Sequence, residues 1–237
     1  MSPDVRRFER LDELSREAAH ACAEVMGDAV SKHGRCAIAL AGGETPTHLY
    51  QLLASDHSGR IDWTRVHVFW SDERYVPADD ARSNARMARH KLLDHVPCPP
   101  AQIHPMPTDA ASPDEAATIY EQTLRQFFGA GLPEFDLMLL GLGTDGHTAS
   151  LFPHSPALLE STRLVVPVAT TADPPVRLTL TFPVLTAGRR IFVMAAGPAK
   201  LAALERVLVP DAEVDRHPAA ALRTAGRRLT WWVARMG

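Results

Sequence analysis

Two hydrophobic rhythms run along the chain. In the first, Leu11, Leu14, Ala18, Ala21, Cys22, Val25, Met26 and Ala29 recur at steps of three and four, which predicts an amphipathic helix from about residue 8 to about residue 32, ended by His33-Gly34. In the second, apolar residues come in short unbroken runs: Cys36 to Ala41, Val66 to Trp70, Phe135 to Leu140 and Ile191 to Ala195, with Thr230 to Val233 as a final strand. Helix signals separate these runs. Thr45 can cap a helix with Pro46 at its first position, Ser83 is the expected cap of the next, and Ser112-Pro-Asp-Glu115 is a capping box for a helix through about Phe128. Pro198 to Leu208 reads as the helix after the Ile191 run, and Pro97 to Pro107 as a loop within the domain.

Unbroken apolar strands that alternate with helices imply a parallel sheet buried on both faces. The last third departs from this. Arg163 to Val168 and Val176 to Phe182 follow one another without room for a crossover helix, and Arg177, Thr179 and Thr181 alternate with Leu178, Leu180 and Phe182. The expected fold is therefore α/β: residues 1–237 as a single domain, a mainly parallel Rossmann-like sheet with helices on both faces, and a small antiparallel excursion with one polar face.

Composition narrows the function. The 237 residues are 46% hydrophobic and carry a formal net charge of −3, so neither nucleic acid nor a membrane surface is an expected partner, and an anionic ligand needs a local site. The first residues lack the apolar core of a secretory signal, and no segment approaches the roughly 20 apolar residues that span a bilayer. Cys22, Cys36 and Cys98 are odd in number and lack metal-ligand spacing, which suits reduced thiols in a cytoplasmic protein.

Ligands of an open parallel sheet gather beyond the carboxyl ends of its strands, and three loops fall there. In Gly42-Gly43-Glu44-Thr45-Pro46 two glycines leave amides open at a helix start, which suits a phosphate and is equally simple turn chemistry; the third glycine of a dinucleotide fingerprint is missing. Asp72-Glu73-Arg74 reads as a mutual salt bridge or solvated cluster, or as an arginine fork for a phosphate or carboxylate. The third loop, Gly141 to Pro153, brings Asp145 and His147 to the sheet edge on flexible backbone, where an imidazole can take and return a proton and a carboxylate can orient the ring or the substrate. Ser150 lacks the flanking glycines of a nucleophile elbow, and no pattern supplies three metal ligands.

Taken in order, Ala39-Leu-Ala-Gly-Gly-Glu-Thr-Pro46, Trp70-Ser-Asp-Glu-Arg-Tyr-Val-Pro77 with Ser83-Asn84, and Gly141-Leu-Gly-Thr-Asp-Gly-His-Thr-Ala-Ser-Leu-Phe-Pro153 resemble the 6-phosphogluconolactonase family, over nearly the whole chain. Arg177-Leu-Thr-Leu-Thr181 and Gly197-Pro-Ala-Lys200 look like the family's later phosphate-side elements. The resemblance implies the deaminase/lactonase/ribose-phosphate-isomerase-like fold and hydrolysis of 6-phosphoglucono-lactone in the oxidative pentose phosphate pathway. His147 would be the general base with Asp145 beside it; Gly42, Gly43, Thr45, Asp72, Arg74, Arg177 and Lys200 would hold the substrate and its phosphate; no cofactor or metal is implied. Arg74 and Ala149-Ser-Leu-Phe-Pro153 match the lactonase form, whereas the sister deaminases carry a tyrosine-like residue and a Phe-Asn-Glu run at those places. Glu44 departs from the family's usual serine or threonine, so its carboxylate is expected to face away from the phosphate. The rival readings are a glucosamine-6-phosphate deaminase or isomerase and a non-catalytic sugar-phosphate sensor, and the expected assembly is a monomer or small homo-oligomer.

Overall fold

The strands of the computed structural model, which describes residues 3–236, form two sheets. The elements run β1 (Asp4–Arg10), α1 (Leu11–His33), β2 (Cys36–Leu40), α2 (Glu44–Ser55), β3 (Val66–Trp70), β4 (Asp72–Arg74), α3 (Asn84–Lys91), α4 (Pro113–Phe128), β5 (Leu137–Gly141), β6 (Val165–Ala169), β7 (Val176–Leu180), α5 (Phe182–Ala187), β8 (Ile191–Ala196), α6 (Pro198–Leu208) and β9 (Leu229–Met236). The large sheet is wholly parallel in the order β1-β9-β8-β5-β2-β3. The small one is antiparallel, β4-β7-β6.

Burial on both faces explains the unbroken apolar runs. Along β2, Ala37 and Ala39 join one core while Cys36, Ile38 and Leu40 join the other, and along β9 Trp231 and Trp232 are both fully buried on opposite faces. Truncating either tryptophan to alanine removes a core anchor at a cost of about 3–5 kcal/mol. All three cysteines are buried free thiols. Among the described residues no helix is long and apolar enough to cross a membrane.

Three sequence expectations need correction. The first helix starts at Leu11, because Asp4–Arg10 is an edge strand paired with β9, and Phe8 lies against Trp232 with ring centroids 6.0 Å apart. Asp72–Arg74 is a strand rather than a loop, paired with β7. The polar face of β7 is turned inward: Arg177 is 7% exposed, and Thr179 and Thr181 are fully buried.

Ser71 stitches the two sheets together. Its amide donates to the Leu40 carbonyl at the end of β2, and its own carbonyl accepts from Leu180 of β7, both at 2.9 Å. The small sheet is thereby fixed to the carboxyl edge of the large one. From β2 the chain moves outward to β3, then returns to place β5 on the other side of β2, so β2 and β5 flank a topological switch point where the edge opens into a crevice.

Candidate active site

A cleft of about 280 Å³ occupies that crevice, lined by the loop after β2, the loop after β5, the small sheet and the start of α6. Gly42, Gly43, Asp72, Arg74, His147, Arg177 and Lys200 all line it. Thr45 and Asp145 stand directly behind these residues.

The loop after β5 is built to present one imidazole. Asp145 Oδ1 lies 2.6 Å from His147 Nδ1 and also accepts from the His147 amide at 3.0 Å. Facing an ionised carboxylate, Nδ1 carries the proton, which leaves Nε2 as the free acceptor. Burial pushes the Asp145 carboxyl up, but the hydrogen bonds from the His147 ring and amide outweigh it and hold the group below its ordinary value. Phe152 packs on the other side of the ring, centroids 4.5 Å apart. Gly143 is required by contact: a Cβ there would sit 2.1 Å from His147 Nδ1 and 2.6 Å from Asp145 Oδ1. Gly146 has φ +90° and is buttressed by His217 and by the Ala219 amide, which donates to its carbonyl at 2.9 Å.

The other end of the cleft is cationic. Arg177 donates to the carbonyls of Pro174 and Asp173, each at 3.1 Å. Its guanidinium is pushed below its ordinary pKa by burial and then by the neighbouring Arg74 charge, so two cations are held near each other in a partly desolvated place. Arg74 is anchored by the Arg82 carbonyl, and its buried Nε has no partner among the described residues. Lys200 is also pushed down by burial, and its Nζ donates to Thr45 Oγ1 at 3.2 Å. An anion in the cleft would relieve all three.

Thr45 therefore does not cap its helix. Glu44 begins α2, Gly43 is the residue before it at φ +95°, and the Thr45 hydroxyl serves Lys200 instead. Glu44 is exposed and absent from the cleft wall. The Asp72-Glu73-Arg74 triplet is not a mutual salt bridge either. Glu73 is 1% exposed and its carboxylate accepts from the amides of Arg74, Asn84 and Ala85, each at 2.7 Å, and from Ser83 Oγ at 3.1 Å, so it ties β4 to the start of α3. Burial raises its pKa against these four donors. Asp72 accepts from Ser150 Oγ at 2.7 Å, which engages that hydroxyl with a carboxylate rather than with a histidine.

Sequence reasoning passed over Asn84, Phe152 and Thr179, whose hydroxyl accepts from the Ser150 amide at 3.2 Å. The spacing of Phe152 from His147 was the available signal for one of them; the other two depend on tertiary pairing. Among the described residues no group of three or more His, Cys, Asp or Glu side chains is placed to hold a metal ion.

A base backed by a carboxylate, facing a cluster of cations across a small cleft at a sheet switch point, defines an α/β enzyme for a small phosphorylated or otherwise anionic substrate. Known proteins fix the family. The model of the glucosamine-6-phosphate isomerases/6-phosphogluconolactonase family matches residues 9–231, and the chain belongs to that family. It is 45% identical over 206 residues to the 6-phosphogluconolactonase of Synechocystis sp., covering 86% of this chain and 83% of the relative. It is 40% identical over 240 residues to that of Mycobacterium tuberculosis, covering 98% and 96%. The solved 6-phosphogluconolactonase of Trypanosoma brucei superposes with a TM-score of 0.87 at 30% identity, covering 98% of this chain and 96% of that one.

Proposed function

We propose that the chain hydrolyses 6-phosphoglucono-1,5-lactone to 6-phosphogluconate with His147 as general base. The observation that carries this is the Asp145-bound imidazole, with Nε2 free, in the same cleft as Arg74, Arg177 and Lys200. Relatives named for this activity at 40–45% identity over most of the chain support it.

With the phosphate among the cations and the amides of Gly42 and Gly43, the lactone carbonyl reaches toward His147. Nε2 takes a proton from a water as its oxygen bonds to C1, giving a tetrahedral intermediate. Collapse breaks the bond from C1 to the ring oxygen, and the protonated imidazole returns its proton to that oxygen. Lactone and water are consumed and one hydroxy acid is formed, with no covalent enzyme intermediate. Asp145 stabilises the imidazolium and fixes the ring, while Asp72 offers its carboxylate to a sugar hydroxyl. On this basis residues 1–237 act as one domain on a free sugar-phosphate lactone, as a monomer or small homo-oligomer; three buried free thiols fit the reducing cytoplasm.

The test follows acid release from freshly made 6-phosphoglucono-lactone, with the spontaneous rate subtracted. The wild type should accelerate it, and His147→Ala should lower turnover by about 10²- to 10⁴-fold while 6-phosphogluconate still binds. Near-normal turnover in His147→Ala would remove the imidazole from the chemistry.

A further inference from the structure

We infer that Asn84 is a specificity-determining residue that accepts a hydrogen bond from one ring hydroxyl of the substrate; this rests on the sugar-phosphate reading of the cleft. Asn84 is the first residue of α3, and its backbone amide is held by Glu73 Oε1 at 2.7 Å. Its side chain turns the other way, into the wall of the cleft. There Nδ2 donates to the Asp72 carbonyl at 2.9 Å and lies 3.4 Å from Asp72 Oδ1.

These contacts decide which way the amide points. Both atoms of Asp72 that face it are acceptors, so a flipped amide would set oxygen against oxygen, and only the NH₂ group can occupy that side. Oδ1 is thereby directed away from Asp72. It is buried, in a residue 1% exposed, and has no donor among the described residues. Buried acceptors in folded proteins are satisfied as a rule, and each exception calls for a partner.

Gly42 gives an independent reason to read the amide as part of the binding surface. A Cβ at that position would lie 1.8 Å from Asn84 Oδ1 and 2.2 Å from its Cγ. The carboxamide lies directly over the backbone of the first glycine in the anion-facing loop, in space that any other residue would fill. Gly42 is not in the left-handed region, so close approach of the amide, not backbone conformation, requires a glycine there. Glycine loop and acceptor oxygen thus form one surface beside the cationic end, where a phosphorylated sugar presents hydroxyls. An acceptor-only group takes an O–H and rejects an analogue that lacks it.

The test compares wild type, Asn84→Ala and Asn84→Leu on 6-phosphoglucono-lactone and on its 2-, 3- and 4-deoxy analogues. Calorimetry on the corresponding 6-phosphogluconates provides a second readout. Leucine nearly matches asparagine in shape, so it preserves packing over Gly42 if alanine does not. Against the full substrate each variant should lose about 10- to 100-fold in kcat/KM, mainly through KM. For one deoxy analogue the loss should vanish, because the partner is already missing. An equal loss on every analogue marks a purely structural role and overturns the proposal, as does no loss on any. If the wild type accelerates no lactone yet calorimetry shows the same analogue-specific loss, the hydroxyl contact stands and the hydrolytic function falls.

Discussion

Gly143→Ala probes the placement of the imidazole without touching its chemistry. The new methyl group would lie 2.1 Å from His147 Nδ1, 2.3 Å from Cε1 and 2.6 Å from Asp145 Oδ1. Ordinary contact begins at 3.4 Å, so ring and carboxylate must retreat by up to about 1.3 Å, which breaks a hydrogen bond now 2.6 Å long. Misplacing a catalytic group by about 1 Å costs on the order of 10²-fold, or about 2.7 kcal/mol of barrier. The fold should survive. Gly143 is not in the left-handed region, its amide still donates to the His147 carbonyl and its carbonyl still accepts from Gly146, so the melting temperature should move by no more than about 4 °C. Turnover is read in the acid-release assay and stability by thermal denaturation. A variant with wild-type turnover would show that the position of the ring does not matter. A variant that loses turnover only because it unfolds would show that the glycine serves the fold.

The cationic end and the buried histidine pair give two further expectations. Arg74→Ala should weaken binding of 6-phosphogluconate by about 10- to 100-fold and leave hydrolysis of a phosphate-free gluconolactone nearly unchanged; equal losses on both would contradict a phosphate role. His104 stacks on Phe69 at 4.4 Å and lies 3.3 Å from His67, and burial, then the His67 charge, pushes its pKa down to about 4. Because this lies below the ordinary value of about 6.5, the stabilisation from keeping the ring neutral is complete above that pH and is lost as pH falls toward about 4. Urea midpoints between pH 7 and pH 4 should therefore fall less steeply for His104→Phe than for wild type, and parallel curves would count against it.

What the chain reveals without coordinates follows from where each signal originates. The capped helices at Ser83 and Ser112 and the parallel strands were legible, because capping and two-faced burial are written locally. Asp4–Arg10 was not: an edge strand with only Val5 and Phe8 partly buried has no apolar run, and its strand character comes from β9. The three residues of β4 are a strand only because β7 lies beside them, and the inward turn of Arg177, Thr179 and Thr181 follows from Ser71 fixing one sheet to the other. In the site, the loops and their charged residues stood out. The division of labour among them did not: Thr45 was read as a cap and serves Lys200, Glu73 was read as surface charge and caps α3, and the unpartnered oxygen of Asn84 depends on Asp72 and Gly42, 12 and 42 residues away.

The most direct measurement is a crystal structure with 6-phosphogluconate bound. The phosphate should lie among Arg74, Arg177 and Lys200, with the C1 carboxylate about 2.6–3.2 Å from His147 Nε2. A ligand in the reverse orientation, its phosphate against His147, or one seated outside the crevice between β2 and β5, would contradict the assignment.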